Sequence, residues 1–239
     1  MLNKKLFMQK TPKTLHFNII TIFPNFFDSI FNHGVLKRAL KNQLIDISIT
    51  NVRDFSKNKY KQIDDTPFGG GPGMVLMPEP LFKAIEQKKT VHSYVTYLSP
   101  QGKPLTQAKA KKLASKKEII LICGRYEGID QRVIDQYVDE EISIGDYILS
   151  GGEIAAAVLI EAVSRFIPGV LGNEESKTNE TFSQSIGLGF PQYTKPREID
   201  GMEVPAVLLS GNHKKIEEWR QKKALEKTRK VRPDLLKKL

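Results

Sequence analysis

The sequence is poor in cysteine and lacks any long apolar run. Its single cysteine, Cys123, excludes an intramolecular disulfide and a cysteine-rich zinc site, and it agrees with a reducing compartment. The longest apolar run, Ile154 to Ile160, is far shorter than the ~20 residues that a membrane-spanning helix needs. The basic N-terminus has no apolar segment of the kind found in secretory signals. We therefore expect a cytoplasmic globular protein with no membrane partner.

The common nucleotide-binding and hydrolase motifs are absent as well. Neither G-x-x-x-x-G-K-[ST] nor G-x-S-x-G occurs. The run Gly69 to Gly73 does not match G-x-G-x-x-G, because Pro72 would disturb a phosphate-binding turn at a helix start. The four histidines do not have the spacing of metal ligands, so the residues assign no metal site. These absences count against a dehydrogenase and against a metalloenzyme.

Charge is distributed unevenly along the chain, whose formal net charge is +10. Residues 213–239 hold 11 Lys and Arg against 4 Asp and Glu, whereas residues 124–161 hold 9 acidic residues against 2 arginines. Such segregation indicates that the basic end contacts a polyanion. A solvated lysine-rich surface is the alternative interpretation.

Apolar patterning predicts an α/β fold with a mostly parallel sheet, because strands alternate with helices up to about residue 168. The predicted strands are 15–23, 45–50, 93–98, 118–123 and 141–144. The predicted helices are 26–42, 78–88, 106–115 (with Thr106 as N-cap), 129–137 and 153–166.

The pattern also suggests how the chain divides into domains. Residues 1–14 are expected to form a flexible extension and residues 15–168 the α/β domain. Residues 169–196 are polar and aperiodic, and are expected to form a flexible linker. Residues 197–239 are expected to form a small basic helical domain. In it, 214–227 is an amphipathic helix that turns Ile216, Trp219 and Leu225 toward a core, and a short helix follows Pro233.

Three loops rich in Gly, Pro or Ser follow three of the predicted strands, at 98–102, 123–128 and 144–152. Ligands of open α/β sheets bind outside the carboxyl ends of the strands. Glycines at these positions let backbone groups come close to a flat ligand. We expect the three loops to converge on one pocket. Three unconnected tight turns are the alternative.

Six segments carry a family resemblance: PFGGGPGM from Pro67, YLSPQG from Tyr97, ICGRYEGID from Ile122, DEEISIGDYILSGGE from Asp139, SRFIPGVLGN from Ser164 and GMEVPAVLLSGNH from Gly201. With these segments in this order, the chain resembles the bacterial tRNA (guanine-37-N1)-methyltransferases, which belong to the knotted SPOUT superfamily. The resemblance runs from about Phe17 to the C-terminus.

The resemblance implies a fold, an activity and partners. The fold is a SPOUT trefoil-knot α/β domain, whose knot is formed by the three loops, together with a small C-terminal helical domain. The activity is transfer of a methyl group from S-adenosylmethionine to N1 of guanosine 37 of tRNA, which supports reading-frame maintenance. The implied protein is a homodimer whose two sites each use both chains, needs Mg²⁺, and binds the tRNA anticodon stem-loop rather than DNA.

By motif position, the resemblance assigns the cofactor pocket to residues of the three loops. They are Tyr97, Leu98, Ser99, Pro100, Gly102, Gly124, Arg125, Tyr126, Glu127, Ile144, Gly145, Tyr147, Ile148, Leu149, Gly151 and Gly152. It also places Gly70 and Gly71 near the target guanine, where a side chain would obstruct the base.

Two residues are assigned to catalysis in the same way. Guanine N1 must lose its proton, and negative charge that spreads to O6 must be stabilised, so the reaction needs a general base and a cation. The resemblance gives these roles to Glu180 and Arg165. Glu180 stands where the family commonly has Asp, and Gly187 to Phe190 lack an acid that the family tends to have there. A solvated linker carboxylate and an Arg165–Glu161 surface pair are the alternative interpretations.

Phosphate contacts are expected from the basic C-terminal segment. The candidates are Lys214, Lys215, Arg220, Lys222, Lys223, Arg229 and Lys230. Two other functions compete with methyl transfer: a catalytically impaired RNA-binding protein on the same scaffold, and a different nucleotide-dependent α/β enzyme such as a dehydrogenase.

Overall fold

The structure is a computed structural model, and it describes residues 14–172, 181–182 and 187–238. The chain separates into two compact units, one ending at Gly172 and the other beginning at Asn173. The boundaries expected at residues 168 and 196 stay predictions. The extension 1–14 lies almost wholly outside the described residues, as does much of the expected linker.

The first unit is built on a five-stranded sheet in which every pair of neighbours is parallel, in the order β2-β1-β6-β5-β7. Its strands are β1 Leu15–Thr21, β2 Ile45–Asn51, β5 Ser93–Pro104, β6 Glu118–Cys123 and β7 Glu140–Ser143. Two short strands, β3 Asp64–Asp65 and β4 Val75–Leu76, form a separate antiparallel pair. The predicted α/β class with a parallel sheet is confirmed.

Five helices cover the two faces of this sheet. They are α1 Gly34–Lys41, α2 Pro78–Lys88, α3 Gln107–Leu113, α4 Gln131–Tyr137 and α5 Glu153–Ser164. Side chains of α1, α3 and α5 pack in one apolar cluster, and those of α2 and α4 pack in another. Strand β6 supplies both clusters alternately: Ile119 and Leu121 face the first, and Ile120 and Ile122 the second. This double coverage explains why EIILIC is apolar at successive positions.

Helix α1 is shorter than predicted. Two 3₁₀ turns, Pro24–Phe27 and Ile30–Asn32, precede α1, which begins only at Gly34. His33 is extended, with φ −132° and ψ 160°, and Gly34 has φ +60°, so a continuous helix is interrupted there. The predicted helix over 26–42 is therefore wrong in its first half.

Strand β5 extends beyond its predicted end at Leu98. Leu98 and Lys103 both pair with Ile142 of β7, so residues 99–102 loop out of the ladder as a bulge before the strand resumes. A Cβ on Gly102 would lie 2.5 Å from the carbonyl carbon of Glu141 and from the amide nitrogen of Ile142. The two strands approach this closely only because residue 102 has no side chain.

The second unit is small and mainly helical. It contains a hairpin of β8 Glu198–Ile199 and β9 Met202–Glu203, helices α6 Ala206–Leu209 and α7 His213–Val231, and a 3₁₀ helix Pro233–Lys238. Helix α7 is longer than predicted at both ends. Its fully buried side chains are Ala224 and Thr228, whereas Ile216, Trp219 and Leu225 are half-buried. The backbone N–H of Leu188 donates to Thr228 Oγ1 at 2.9 Å and fixes Leu188 against α7.

Cys123 lies at the end of β6 and is buried. Burial raises the pKa of its thiol well above the usual value, and the nearby charge of Glu153 raises it further. Among the described residues, no helix is both long enough and apolar enough to cross a membrane.

The close approach at Gly102 generates a stability prediction. The substitution Gly102→Ala places a methyl group against the β7 backbone, which cannot move without breaking the β5–β7 pairing. We expect a loss of about 1–3 kcal/mol of unfolding free energy, measured by urea denaturation. Gly172→Ala is the matched control, because a Cβ at Gly172 meets no atom within 4 Å. Equal midpoints for the two variants would contradict the packing described.

Candidate functional site

A pocket with a cavity volume of about 270 Å³ lies at the bulge of β5 and at the carboxyl ends of β6 and β7. Its walls are this bulge and the loops that follow β6 and β7, which are the three segments expected to converge on one pocket. The structure brings together every residue predicted for the cofactor pocket except Gly102, which packs beneath it against β7. Sequence reasoning missed six further lining residues: Gln101, Gly128, Ile142, Ser143, Ser150 and Ala155.

Most of these missed residues could have been found from their neighbours. Gln101, Gly128 and Ser150 lie inside the glycine-rich motifs, and Ile142 and Ser143 end the strand that leads into the third loop. Ala155 lies in the first turn of α5, three residues after Gly152. Residues three apart share one face of a helix, so Ala155 lies on the same side as Gly152.

The second and third loops cross each other in backbone contact. The amide of Gly152 donates to the carbonyl of Gly124 at 2.9 Å, and Arg125 forms an antiparallel bridge with Gly151. A Cβ on Gly152 would lie 2.8 Å from Cys123 Cα, which is backbone and cannot yield. Residue 152 must therefore be glycine because the backbones of the two loops lie in direct contact. This requirement holds whether or not a ligand also approaches the glycine.

A buried ion pair fixes the second loop to α5. Glu153 Oε2 accepts a hydrogen bond from Arg125 Nε at 3.0 Å and lies 3.0 Å from Arg125 Nη2. The other carboxylate oxygen, Glu153 Oε1, accepts a hydrogen bond from the Thr21 hydroxyl at 2.7 Å. The Glu153 side chain is only 1% exposed. Arg125 also donates to the carbonyl of Ser150 at 3.2 Å, and its guanidinium carbon lies 4.6 Å from the centre of the Phe23 ring. A single arginine thus joins the second loop, the third loop and α5.

Tyr97 forms part of the pocket wall and lies in β5 just before its bulge. Burial raises the pKa of its phenol to about 12, and the charge of Glu141 contributes to the shift. Its hydroxyl therefore stays protonated at neutral pH. A Cβ on Gly124 would lie 2.7 Å from this hydroxyl, so the ring fits against the loop only because residue 124 is glycine.

The glycine-rich segment 67–73 contacts the second loop at its last residue, Gly73, and at Met74, which follows it. Glu127 N donates to the Met74 carbonyl at 3.0 Å, and a Cβ on Gly73 would meet the Glu127 side chain at 2.5 Å. Gly70 and Gly71 have φ of +79° and +118°, a region that favours glycine. They do not line the cavity, and a Cβ on either meets nothing within 4 Å. Their predicted place near a target base stays a prediction.

The two predicted catalytic residues are not brought together in the described part of the chain. Arg165 directly follows the last residue of α5 and is half-buried, and its backbone amide donates to the Glu161 carbonyl at 3.3 Å. Glu180 lies outside the described residues. In the ranges that the structure does describe, no three His, Cys, Asp or Glu side chains group as metal ligands.

The predicted phosphate-binding cations all lie on α7. Lys214, Lys215, Lys222, Arg229 and Lys230 are exposed, and Arg220 and Lys223 are half-buried. Lys223 is held by Glu226, with Nζ and Oε2 2.8 Å apart. Most of this charge faces solvent and is accessible to a polyanion.

Comparison with known proteins gives a consistent result. A family model described as tRNA (Guanine-1)-methyltransferase TrmD matches residues 15–238. Three curated relatives carry the name tRNA (guanine-N(1)-)-methyltransferase. One from Buchnera aphidicola subsp. Acyrthosiphon pisum (strain APS) is 55% identical over 93% of this chain and 94% of its own length. One from Protochlamydia amoebophila (strain UWE25) is 51% identical over 92% and 98%. One from Clostridioides difficile (strain 630) is 49% identical over 94% and 98%.

The buried ion pair predicts a large effect of a small change. Glu153→Gln preserves the shape and the acceptor for Thr21, but leaves the Arg125 guanidinium without its counter-charge. We expect the unfolding free energy to fall by about 3 kcal/mol, measured by chemical denaturation. In the control Glu79→Gln, the carboxylate is exposed and paired with surface lysines, so stability should be nearly unchanged. A Glu153→Gln protein as stable as this control would show that the pair does not hold the loops.

Proposed function

The chain belongs to the tRNA (guanine-1)-methyltransferase family, and from this premise we propose that it transfers the methyl group of S-adenosylmethionine to N1 of guanosine 37 in tRNA, next to the anticodon. The observation that carries the proposal is the convergence of the three motif-bearing loops on one pocket at the sheet edge. A dehydrogenase is disfavoured by the same observation, because the pocket lacks the G-x-G-x-x-G turn that binds a dinucleotide.

The pocket suits S-adenosylmethionine in its chemistry. Leu98, Ile144 and Leu149 offer apolar walls for an adenine, and the glycines of the loops expose backbone donors and acceptors. Arg125 is already neutralised by Glu153, whereas Glu127 brings a carboxylate to the lining that favours a cationic ligand. When bound, the cofactor supplies a methyl group attached to a positively charged sulfur.

We assign the proton transfer to Glu180 and charge stabilisation to Arg165. The Glu180 carboxylate takes the N1 proton of guanine and so makes N1 a nucleophile. The Arg165 guanidinium donates hydrogen bonds to O6, where negative charge develops. Arg165 directly follows the last residue of α5, and Ala155 in the first turn of the same helix lines the pocket. The two residues are therefore connected through the length of α5.

The trefoil knot is part of the proposal. The knot is supported by the crossing of two loops at the end of β6. Gly152, which follows β7 in the chain, lies there against the backbone of Cys123 and Gly124. In the sheet order, β5 lies between β6 and β7, so the third loop must return across β5 to reach this contact.

Mg²⁺ and the cytoplasmic location are also retained as predictions. The described residues form no cluster of His, Cys, Asp or Glu side chains that suits Mg²⁺. The proton transfer and the charge stabilisation are assigned to protein side chains and do not depend on the ion. The substrate is tRNA, which agrees with a cytoplasmic enzyme.

A homodimer is supported by an apolar stripe on α5. Ile154 and Val158 lie one turn apart on this helix and are 49% and 43% exposed. Ile148, in the third loop of the pocket, is 81% exposed. We propose that a second copy of the chain covers this stripe beside the pocket and lends Glu180 to it, so that each site uses both chains.

The function is tested by transfer of labelled methyl from S-adenosylmethionine to an unmodified tRNA transcript that carries G37. We expect incorporation into this transcript and none into one with adenosine at position 37. Titration calorimetry should show binding of S-adenosylmethionine and not of NAD. Binding of cofactor and tRNA without any transfer would instead favour the impaired RNA-binding protein, and binding of NAD would favour the dehydrogenase.

The base assignment is tested in the same assay with Glu180→Gln. We expect the rate of transfer to fall by about 10²–10⁴-fold, because a general base is lost, while cofactor affinity is unchanged. Glu174→Gln removes a carboxylate from the same polar stretch and should keep the wild-type rate. Full activity of Glu180→Gln would remove this residue from the mechanism.

The dimer is tested with Val158→Asp, which places a charge in the proposed interface. We expect light scattering to report a monomeric mass and methyl transfer to be lost, because the pocket no longer receives Glu180. Val91→Asp makes the same chemical change at a valine that is 96% exposed far from α5 in the chain, and it should remain an active dimer. A Val158→Asp monomer with wild-type activity would refute the shared site.

A further inference from the structure

A second pocket lies wholly within the C-terminal unit and was not predicted from the sequence. Its cavity volume is about 440 Å³, and it is formed by residues 190–197, the end of the β8–β9 hairpin, α6 and α7. Its lining includes four aliphatic side chains, which we together call the apolar floor: Val204, Leu208, Leu209 and Ile216. All residues that line it belong to the described part of the chain.

The charged side chains that line this pocket are all positive. Lys195, Arg197 and Arg220 contribute to its lining, and no Asp or Glu does. Arg220 Nε is buried and has no hydrogen-bond partner among the described residues. Its ion pair with Glu217 is long, with Nη1 3.9 Å from Glu217 Oε2, and does not involve Nε. The pocket therefore has positive charge from three side chains, and it suits a ligand that brings negative charge.

Flat π-systems accompany these cations. The Arg220 guanidinium carbon lies 4.8 Å from the centre of the Phe190 ring, so the planar group is held over an aromatic face. Tyr193 is 49% exposed, and its ring centre lies 6.3 Å from that of Trp219. Half-exposed aromatic rings and stacked guanidinium planes are surfaces on which unpaired RNA bases stack.

We propose that this pocket binds one unpaired nucleotide of the bound tRNA, other than nucleotide 37. The base stacks on Tyr193 above the apolar floor, and the adjoining phosphate is neutralised by Lys195, Arg197 and Arg220. An acidic peptide would use the cations but not the aromatic faces, whereas a nucleotide uses both. The inference rests on the proposed function, since it takes tRNA as the ligand.

Such a site gives α7 a second role beside sequence-independent attraction of phosphates. The exposed lysines of α7 attract any polyanion, but a base reaches the apolar floor only where the RNA is unpaired. The pocket thus distinguishes a loop from a continuous duplex. Stacking on an aromatic ring is open to any base, so the pocket recognises first of all that a base is unstacked.

The test uses the full-length protein and an anticodon stem-loop in which 2-aminopurine replaces one unpaired nucleotide at a time. With wild-type protein we expect quenching at one unpaired position other than 37, as the base stacks on Tyr193. Tyr193→Ala should abolish this quenching and raise the KM for tRNA about tenfold, with kcat and S-adenosylmethionine affinity unchanged. Tyr193→Phe, which preserves the ring, should restore both.

A second pair of variants separates the pocket from overall charge. Arg220→Gln should raise the KM as Tyr193→Ala does. Lys227→Gln removes the same charge from the same helix outside the pocket and should raise the KM much less, because it weakens only the general attraction of phosphates. Equal effects of the two would show that charge alone matters and would overturn the proposal.

The remaining outcomes are equally decisive. Absence of quenching at every unpaired position, or quenching that survives Tyr193→Ala, would overturn the proposal even if the wild-type protein methylates tRNA. If Tyr193→Ala changes the mass measured by light scattering but leaves the KM for tRNA unchanged, the pocket binds a second copy of the chain and the proposal is wrong. Failure of the proposed function is separate, because it would appear as absent methyl transfer by the wild-type protein.

Discussion

The contact on which the first unit depends is the crossing of two loops at the end of β6. There the amide of Gly152 donates to the carbonyl of Gly124, and the backbones lie too close for any side chain at residue 152. This crossing places the second and third loops side by side, and the Arg125–Glu153 pair then fixes them to each other and to α5. The pocket is the space that remains beside this crossing. Its shape is therefore set by backbone geometry more than by the side chains that line it.

Regular elements with strong local signals could be predicted from the sequence. Helix α2, with Pro78 at its first position, and strand β6, with its continuous apolar run, have the predicted bounds. Thr106 caps α3 as predicted, accepting from Lys109 N at 3.2 Å. The resumption of β5 after its bulge was not predictable, because Pro100 and Gly102 indicate a turn and only pairing with β7 restores the strand. The β8–β9 hairpin could have been found, because Asp200-Gly201 is a typical two-residue turn and both residues have positive φ.

For the candidate site, sequence motifs identify the walls but not what fixes them in place. The three loops could be grouped because each follows a strand, and parallel strands end at the same edge. The pairing of Arg125 with Glu153 spans 28 residues and depends on how α5 packs against β1, so no spacing reveals it. The pocket of the C-terminal unit was missed for a similar reason. Phe190, Tyr193 and Arg220 lie in two segments with no shared motif, and only the fold brings them together.

The position of Cys123 has a practical consequence for the study of this molecule. The one thiol of the chain is buried at the end of a central strand, and its raised pKa keeps it protonated and unreactive at neutral pH. A cysteine introduced on the surface of either unit therefore has no native competitor for thiol-directed probes. Pairs of spin labels or fluorophores can be attached without first removing the natural residue, and the distance between the two units can be followed in the otherwise unaltered protein.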